Sequence, residues 1–500
     1  MGFVYSSIRR FALSPFHLLA CLHLLLSLTH ATPIIRNIAI EGNTRTRTEI
    51  IQRELLFQSG QPLDTLNISE TERNLRRLFF LGNVNIHIQR DSTFADLTIQ
   101  VKDLYARALS PLLAGNTNEL SYGFTALDYN FLGRGQISQL TLYHDAITGN
   151  RARLFYRNPR LNNSHHTVTS NLGIANEGHH AIVSLTHPFY ALATPWNYGF
   201  NIYDQKQIQR RYRGGVLNDK YSDCISGGNI WFIRSYGNTV KARPGFQLTL
   251  SDRRFTPEPS YTYTPQNRRR TLPSFTFTLW KPQYEKQAFI RQLGRTEDLQ
   301  IGSSLFTRVG ISSKTLSSDQ NFLFYTLQIT PRLKLTSNTF AFANFSLSGR
   351  HQNSTYADLF AQANLTLYTR IQEIHVIAFR ARYNTLSRPE DNDQLLLGLN
   401  RGLRGYLPRR FDGTRRYTLN LEARPTLYQN RAFIIGSALF LDAGDAWTPN
   451  QSAASFNTAA GFGLRLASTR VYNQPILRTD LAYAFKDRTW QISLGLGHYF

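Results

Sequence analysis

The hydrophobic pattern of the chain changes character near Asp103. Before that point, apolar positions recur with both strand and helix spacing; after it, alternation with period two dominates. Residues 34–40 alternate as a strand and run into the turn Glu41-Gly42-Asn43. Residues 46–57 carry Ile50, Ile51, Leu55 and Leu56 at helical spacing and are closed by Gly60. A second helix is predicted from Asp64, with Ile68, Leu75 and Leu78 on one face and Gly82 as its terminator. Residues 83–89 and 95–101 then alternate as a hairpin. The predicted order is β-α-α-β-β, over residues 34–103.

From residue 104 to 500, segments of about ten residues alternate apolar and polar, as strands do between lipid and a polar lumen. The last is the clearest: Trp490, Ile492, Leu494 and Leu496 share a face with Phe500, opposite Gln491, Ser493, Gly495 and Gly497. Phe275, Phe277 and Leu279, and again Tyr325, Leu327 and Ile329, repeat the pattern against polar neighbours. Such strands must close on themselves, because an unpaired sheet edge leaves backbone groups unsatisfied in hydrocarbon. The fold class is therefore mainly β: a transmembrane antiparallel barrel, for which a direct count gives about twenty segments. Short turns are expected at Thr336-Ser337-Asn338, around Gly237 and at Gln429-Asn430, and long loops over 204–226, 253–271 and 387–416. An even strand number follows, with both termini in the periplasm.

Residues 1–31 read as a signal peptide: Arg9 and Arg10 precede an apolar run that ends in Thr29-His30-Ala31. A competing reading is a lipoprotein signal cut before Cys21, against which the apolar run continues past that residue. Beyond it only Cys224 remains, so no internal disulfide can form and no cysteine-based metal cluster is available. No later stretch is long and apolar enough for a membrane helix. Tyr and Phe, 25 and 33 residues, are abundant in the way strands and interfacial girdles require. A formal charge of +23 calls for an anionic neighbour. The clusters at 210–213 and 268–270 are expected in long loops, where lipopolysaccharide phosphates suit an exported protein better than nucleic acid does.

Several motifs carry a resemblance. Ile40-Glu41-Gly42-Asn43, Leu78-Phe79-Phe80-Leu81-Gly82 and Val101-Lys102-Asp103, set in the β-α-α-β-β order, resemble a POTRA domain. Downstream, Asp128, Asn130, Gly133 and Gly135 lie in a segment similar to the turn between the second and third strands of the bacterial outer-membrane assembly and transport superfamily, the BamA/TamA type. Leu403-Arg404-Gly405-Tyr406 resembles that family's signature in a loop folded into the lumen, and Glu422 and Phe440-Leu441-Asp442-Ala443-Gly444 resemble its strand motifs. The resemblance implies sixteen strands. It also implies that Arg404 locks the loop to Glu422 and Asp442, with Gly405, Tyr406 and Gly444 in the same constellation. Physics agrees, since Asp442 and Glu422 fall on the polar faces of their strands, where an Arg fork can bond carboxylates.

The function implied is insertion or translocation of unfolded outer-membrane or secreted polypeptides, without enzyme activity, cofactor or metal. Periplasmic chaperones or accessory proteins are further expected partners. The working part would be a barrel seam involving Pro111, which has no N–H to donate, and the Trp490 to Phe500 strand. Two alternatives stand beside it: a two-partner-secretion-type transporter and a passive porin. A hydrolase reading finds only the adjacent pairs His165-His166 and His179-His180, and neighbours on a strand point to opposite faces.

Overall fold

The computed structural model describes residues 32–116, 118–294, 296–391, 393–399, 401–469 and 476–500. The signal-peptide segment with Cys21, and Asn400 of the loop motif, lie outside them.

The N-terminal domain is a three-stranded sheet covered by two helices. Strands β1 (Ile34–Glu41), β2 (Leu81–Arg90) and β3 (Phe94–Asp103) take the order β1-β3-β2, with β1 parallel to β3 and β2 antiparallel to it. Helix α1 covers only Thr48–Gln52, shorter than its apolar spacing predicts. Helix α2 (Thr65–Arg76) begins as expected, because the Asp64 side chain accepts from the N–H of Leu66. It ends well before Gly82, which instead lies inside β2. Ile35, Ile51, Leu75, Leu97 and Ile99 close the core, and Tyr129 of the barrel completes it.

Asp103 ties the domain shut. Its carboxylate accepts from the N–H groups of Arg45 and Thr46, at 2.5 and 3.1 Å, and from the Thr46 hydroxyl at 2.5 Å. Asp103→Ala is expected to lower the stability of this domain by about 1–3 kcal/mol, since it strands part-buried donors. Hydrogen exchange of residues 34–103 within the full chain would show it; unchanged protection of 44–46 would refute the assignment.

The remaining strands form one closed antiparallel barrel, of twenty strands among the described residues. The direct count from periodicity therefore holds, and the sixteen implied by resemblance does not. Two strands are each interrupted by a proline. Pro331 separates Phe322–Thr330 from Arg332–Lys334, and Pro425 separates Arg415–Arg424 from Thr426–Gln429; each pair of pieces shares one neighbouring strand. Leu109, Phe124, Leu142, Leu154, Phe200, Ile230, Phe246, Phe275, Ile329, Phe345, Leu421, Leu441, Phe462 and Ile492 stand exposed around the outside. An apolar belt on this scale, on a sheet without edges, is what a bilayer requires. No described helix is long and apolar enough to cross a membrane.

Residues 204–226, expected as a loop, instead extend the wall. Trp196–Arg213 and Val216–Arg234 pair continuously up to Gly214-Gly215, whose positive φ angles make the turn. The basic cluster at 268–270 is also not simply surface. Period two sends Arg268 and Arg270 inward to Asp391 and Glu390 and leaves Arg269 outside. His179 and His180 likewise separate, to Asp204 and Asn171.

Because the strand number is even, β4 (Arg107–Asn116) starts and the last strand, Thr489–Leu496, ends at the barrel mouth that carries the N-terminal domain. That domain is seated on the mouth by charged contacts. Arg160 donates to Glu54 at 3.1 and 2.5 Å, Arg76 donates to Asp298 at 2.9 and 2.7 Å, and Glu70 accepts from the N–H of Leu192 at 2.7 Å. The segment Asp128 to Gly135 forms another part of the seat. Asp128 accepts from Asn130 N–H and from Arg107, while Asn130 accepts from Gly135 N–H. Gly133 and Gly135 have φ of +70° and +66°, and a Cβ on Gly135 would lie 2.6 Å from Arg53. Turn geometry and close approach both require glycine there.

Candidate functional site

The loop between His375–Ser387 and Arg415–Arg424 folds back into the lumen. Its limbs pair as a small ladder, Leu395–Leu397 against Phe411–Gly413, so its backbone donors are satisfied away from the wall. Gly402 and Gly405, with φ of +121° and +85°, turn the chain between them and present Arg404 to the wall. A Cβ on Gly405 would lie 3.1 Å from the backbone of Tyr483 and Ala484.

Arg404 is fully buried. Its Nε and Nη2 donate to the two oxygens of Asp442 at 2.7 and 2.9 Å, and Nη1 donates to Glu422 at 2.9 Å. Its own backbone N–H reaches Asp442 at 3.2 Å. The guanidinium plane lies between aromatic rings, 3.4 Å from the centroid of Phe440 and 4.2 Å from that of Tyr499. Both flat faces are thus covered by π-electrons and the edge is filled by carboxylates, an arrangement suited to a guanidinium and not to an ammonium. Tyr406 is also buried, and its hydroxyl donates to the Thr458 carbonyl at 3.0 Å. Gly444 leaves room for Leu397, which would lie 3.1 Å from a Cβ there.

The network is wider than the sequence motifs. Asp480 lies 3.8 Å from Arg404 and bonds Arg465 at 2.7 Å, while Arg424 and Arg465 reach Glu422 at 3.1 and 3.4 Å. Asn420 donates to Asp442 at 2.7 Å and to the Gly402 carbonyl at 2.9 Å. Asp480 and Arg465 sit on inward faces of period-two strands, which could have marked them as wall residues though not as partners of the loop. Tyr499 gave no such signal. Its hydroxyl donates to the Leu399 carbonyl at 2.6 Å and accepts from Gly402 N–H at 3.0 Å.

Tyr499 belongs to a tail that overturns one sequence expectation. The last strand stops at Leu496, and Gly497, with φ of +80°, turns the chain inward. Phe500 therefore does not share the outer face of Trp490; it lies in the lumen against Arg380 and Arg424, and its carbonyl accepts from Arg424 at 2.8 Å. The physical reason is that Arg380 and Arg424 offer its ring and carbonyl cationic partners inside, which hydrocarbon outside does not. Trp490 remains outside, exposed.

At the seam, among the described residues, β4 and the last strand pair at Asn116↔Ser493 and Gly115↔Leu494. On its other side, β4 pairs with β5 (Leu120–Phe131) continuously from Arg107↔Asp128 to Gly115↔Leu120. Pro111 lies on the stretch of β4 that has no partner across the seam.

Residues 33–103 match the family described as POTRA, surface antigen variable number repeat. Among solved structures, BamA from Haemophilus ducreyi lacking POTRA domains 1-3 is 14% identical, with 92% of this chain and 84% of that chain covered and a TM-score of 0.44. CdiB from Acinetobacter baumannii is 11% identical, covering 93% and 74%, with a TM-score of 0.46. CdiB from Escherichia coli is 11% identical, covering 93% and 76%, with a TM-score of 0.48. No curated protein matches the chain. Residues 33–103 thus belong to the POTRA family, and they sit on the mouth of one closed barrel whose inward loop is held by its arginine to carboxylates of the wall.

Proposed function

We propose that this protein inserts or translocates polypeptides at the outer membrane, with the POTRA domain in the periplasm and no nucleotide or cofactor. The observation that carries the reading is the seam: a wall otherwise closed by long ladders is held at one place by two pairs of the described residues. Each missing backbone pair leaves donors and acceptors that an incoming strand can satisfy, which is how a sheet edge recruits a chain. Pro111 weakens closure further because it has no N–H to offer the last strand. A passive porin is disfavoured by a lumen filled with the Arg404 loop and the C-terminal tail. A two-partner-secretion-type transporter would use the same seat and lock, and differs only in cargo.

Lipopolysaccharide and periplasmic chaperones or accessory proteins are the further partners proposed. Arg254 and Arg269 are exposed cations that suit lipid phosphates. Depletion of the protein, followed by comparison of the outer-membrane and secreted proteomes, tests the function. Loss of a set of barrel proteins supports assembly, and loss of a secreted protein alone supports transport. Unchanged proteomes with impaired uptake of small solutes would overturn both in favour of the porin.

A further inference from the structure

The wall strands Arg268–Trp280 and Ser304–Ser312 are neighbours, yet 23 residues separate them. Those residues form a hairpin, Tyr284–Ala288 paired with Thr296–Gln300, rooted in the wall by the Lys281 N–H donating to the Ser303 carbonyl at 3.1 Å. Its root lies at the barrel mouth under the POTRA domain, because Arg268–Trp280 runs toward that end.

The hairpin crosses the mouth. With each interrupted strand counted once, its root lies between the tenth and eleventh strands of the barrel, whereas its tip meets the seventeenth, Phe433–Trp447. There Gly294 approaches Ile434 so closely that a Cβ would fall 1.9 Å from the Ile434 Cδ1. Along the way Ile290 and Leu299 are buried against Phe340, Tyr368, Val376 and Ala378, with Phe500 of the tail packed beside them.

Those wall residues are unusual for their position. Phe340 and Tyr368 continue the inward faces that higher up carry Asn344, Ser346, Asn364 and Gln362. On these three neighbouring strands the polar lumen thus ends in an apolar collar, which the hairpin's apolar face covers. Burial of Ile290 and Leu299 there removes both side chains from water and so holds the hairpin in place.

The POTRA domain grips the hairpin's other face. Arg76 of α2 makes the two-pronged contact with Asp298, and the Arg73 guanidinium lies 4.3 Å from the centroid of the Tyr284 ring. Lys334 donates to Glu285 at 2.7 Å from the wall. What remains beside the tip is a cavity of about 470 Å³ between Arg291, Gln292 and Leu293 and the seam-side residues Ser110, Leu112 and His498.

We propose that hairpin 281–303 is a gate that closes the POTRA-side mouth of the barrel, and that α2 holds it shut through Arg76 and Asp298. Displacement of α2 frees the charged face, and the hairpin swings about its root at Lys281 and Ser303, uncovering the collar. The gate is a property of the pore and does not depend on what passes through it.

Purified full-length protein in planar bilayers tests this by its conductance. Replacing residues 282–302 by a short turn is expected to raise the mean conductance severalfold, with heat-modifiable mobility showing that the barrel is folded. Arg76→Asp should increase the frequency of openings, and Arg76→Asp combined with Asp298→Arg should return it toward that of the unaltered protein. Where the shortened variant does not fold, a second arm decides. Arg76→Cys with Asp298→Cys, in a Cys224→Ser background, is joined by a reducible bifunctional maleimide; openings should cease and return on reduction. A folded shortened variant that conducts like the parent, or openings unaffected by the cross-link, would overturn the gate. A normal gate with unchanged proteomes after depletion would instead count against polypeptide handling alone.

Discussion

Arg404→Ala is expected to release the lumen loop, making residues 401–410 cleavable by trypsin in detergent-solubilised protein while the barrel stays folded. The reason is the state of what remains. Arg404→Ala takes from Asp442 two of its four donors, the side-chain Nε and Nη2, and leaves it the backbone N–H of residue 404 and Asn420, with its bonded cation gone and at full burial. Glu422 is less affected, because Arg424 and Arg465 still face it. A carboxylate stranded in this way costs about 3–5 kcal/mol, far above the 0–1 kcal/mol of an exposed pair. Asp442→Ala should do comparable harm, because the guanidinium between Phe440 and Tyr499 loses two of its three carboxylate bonds and keeps only the one to Glu422.

The double change Arg404→Ala with Asp442→Ala should be no worse than either single change, since no unpaired charge is then left by that pair. Arg404→Lys should fail to rescue, because one ammonium cannot span Asp442 and Glu422 while stacking between two rings. Strictly additive losses in the cycle, or a loop as protected in Arg404→Ala as in the parent, would sink the assignment.

Gly405→Val should have the second largest effect. The residue combines φ of +85° with a position 3.1 Å from backbone atoms of Leu477–Ala484, so a side chain meets strain and collision together. A β-branched residue in the left-handed region costs about 1–3 kcal/mol before any clash. The strand cannot yield, because Leu477–Ala484 is paired on both sides. Loop release should therefore follow although every ion pair of Arg404 is chemically intact. Gly405→Ala tests the same point more mildly. A Gly405→Val protein with unchanged protease resistance and unchanged Tyr406 environment would show that the loop does not press on the wall.

Whatever depends on period and on local stereochemistry was readable along the chain. Alternation marked the wall strands and their number, because a strand between lipid and lumen must reverse polarity at every residue. The same rule put Glu422 and Asp442 on inward faces, and it explains why Arg268 and Arg270 turn inward while Arg269 stays outside. Asp64 as a helix cap and the glycines of the 128–135 turn were legible for similar reasons, since their neighbours in sequence are their partners in space.

The rest depends on residues that closure of the barrel brings together. Asp480 and Arg465 join the lock because curvature of the closed sheet brings four strands around one loop, and no spacing in the chain encodes that. The tail resembled a continuing strand up to Phe500, yet buried cations inside offered its aromatic rings and carbonyl better partners than lipid could. The gate hairpin shares the alternation of its neighbours and could not be told from wall strands by period alone. Its place across the mouth is set by an apolar collar on the far wall and two arginines of α2, contacts that exist only once the barrel has closed.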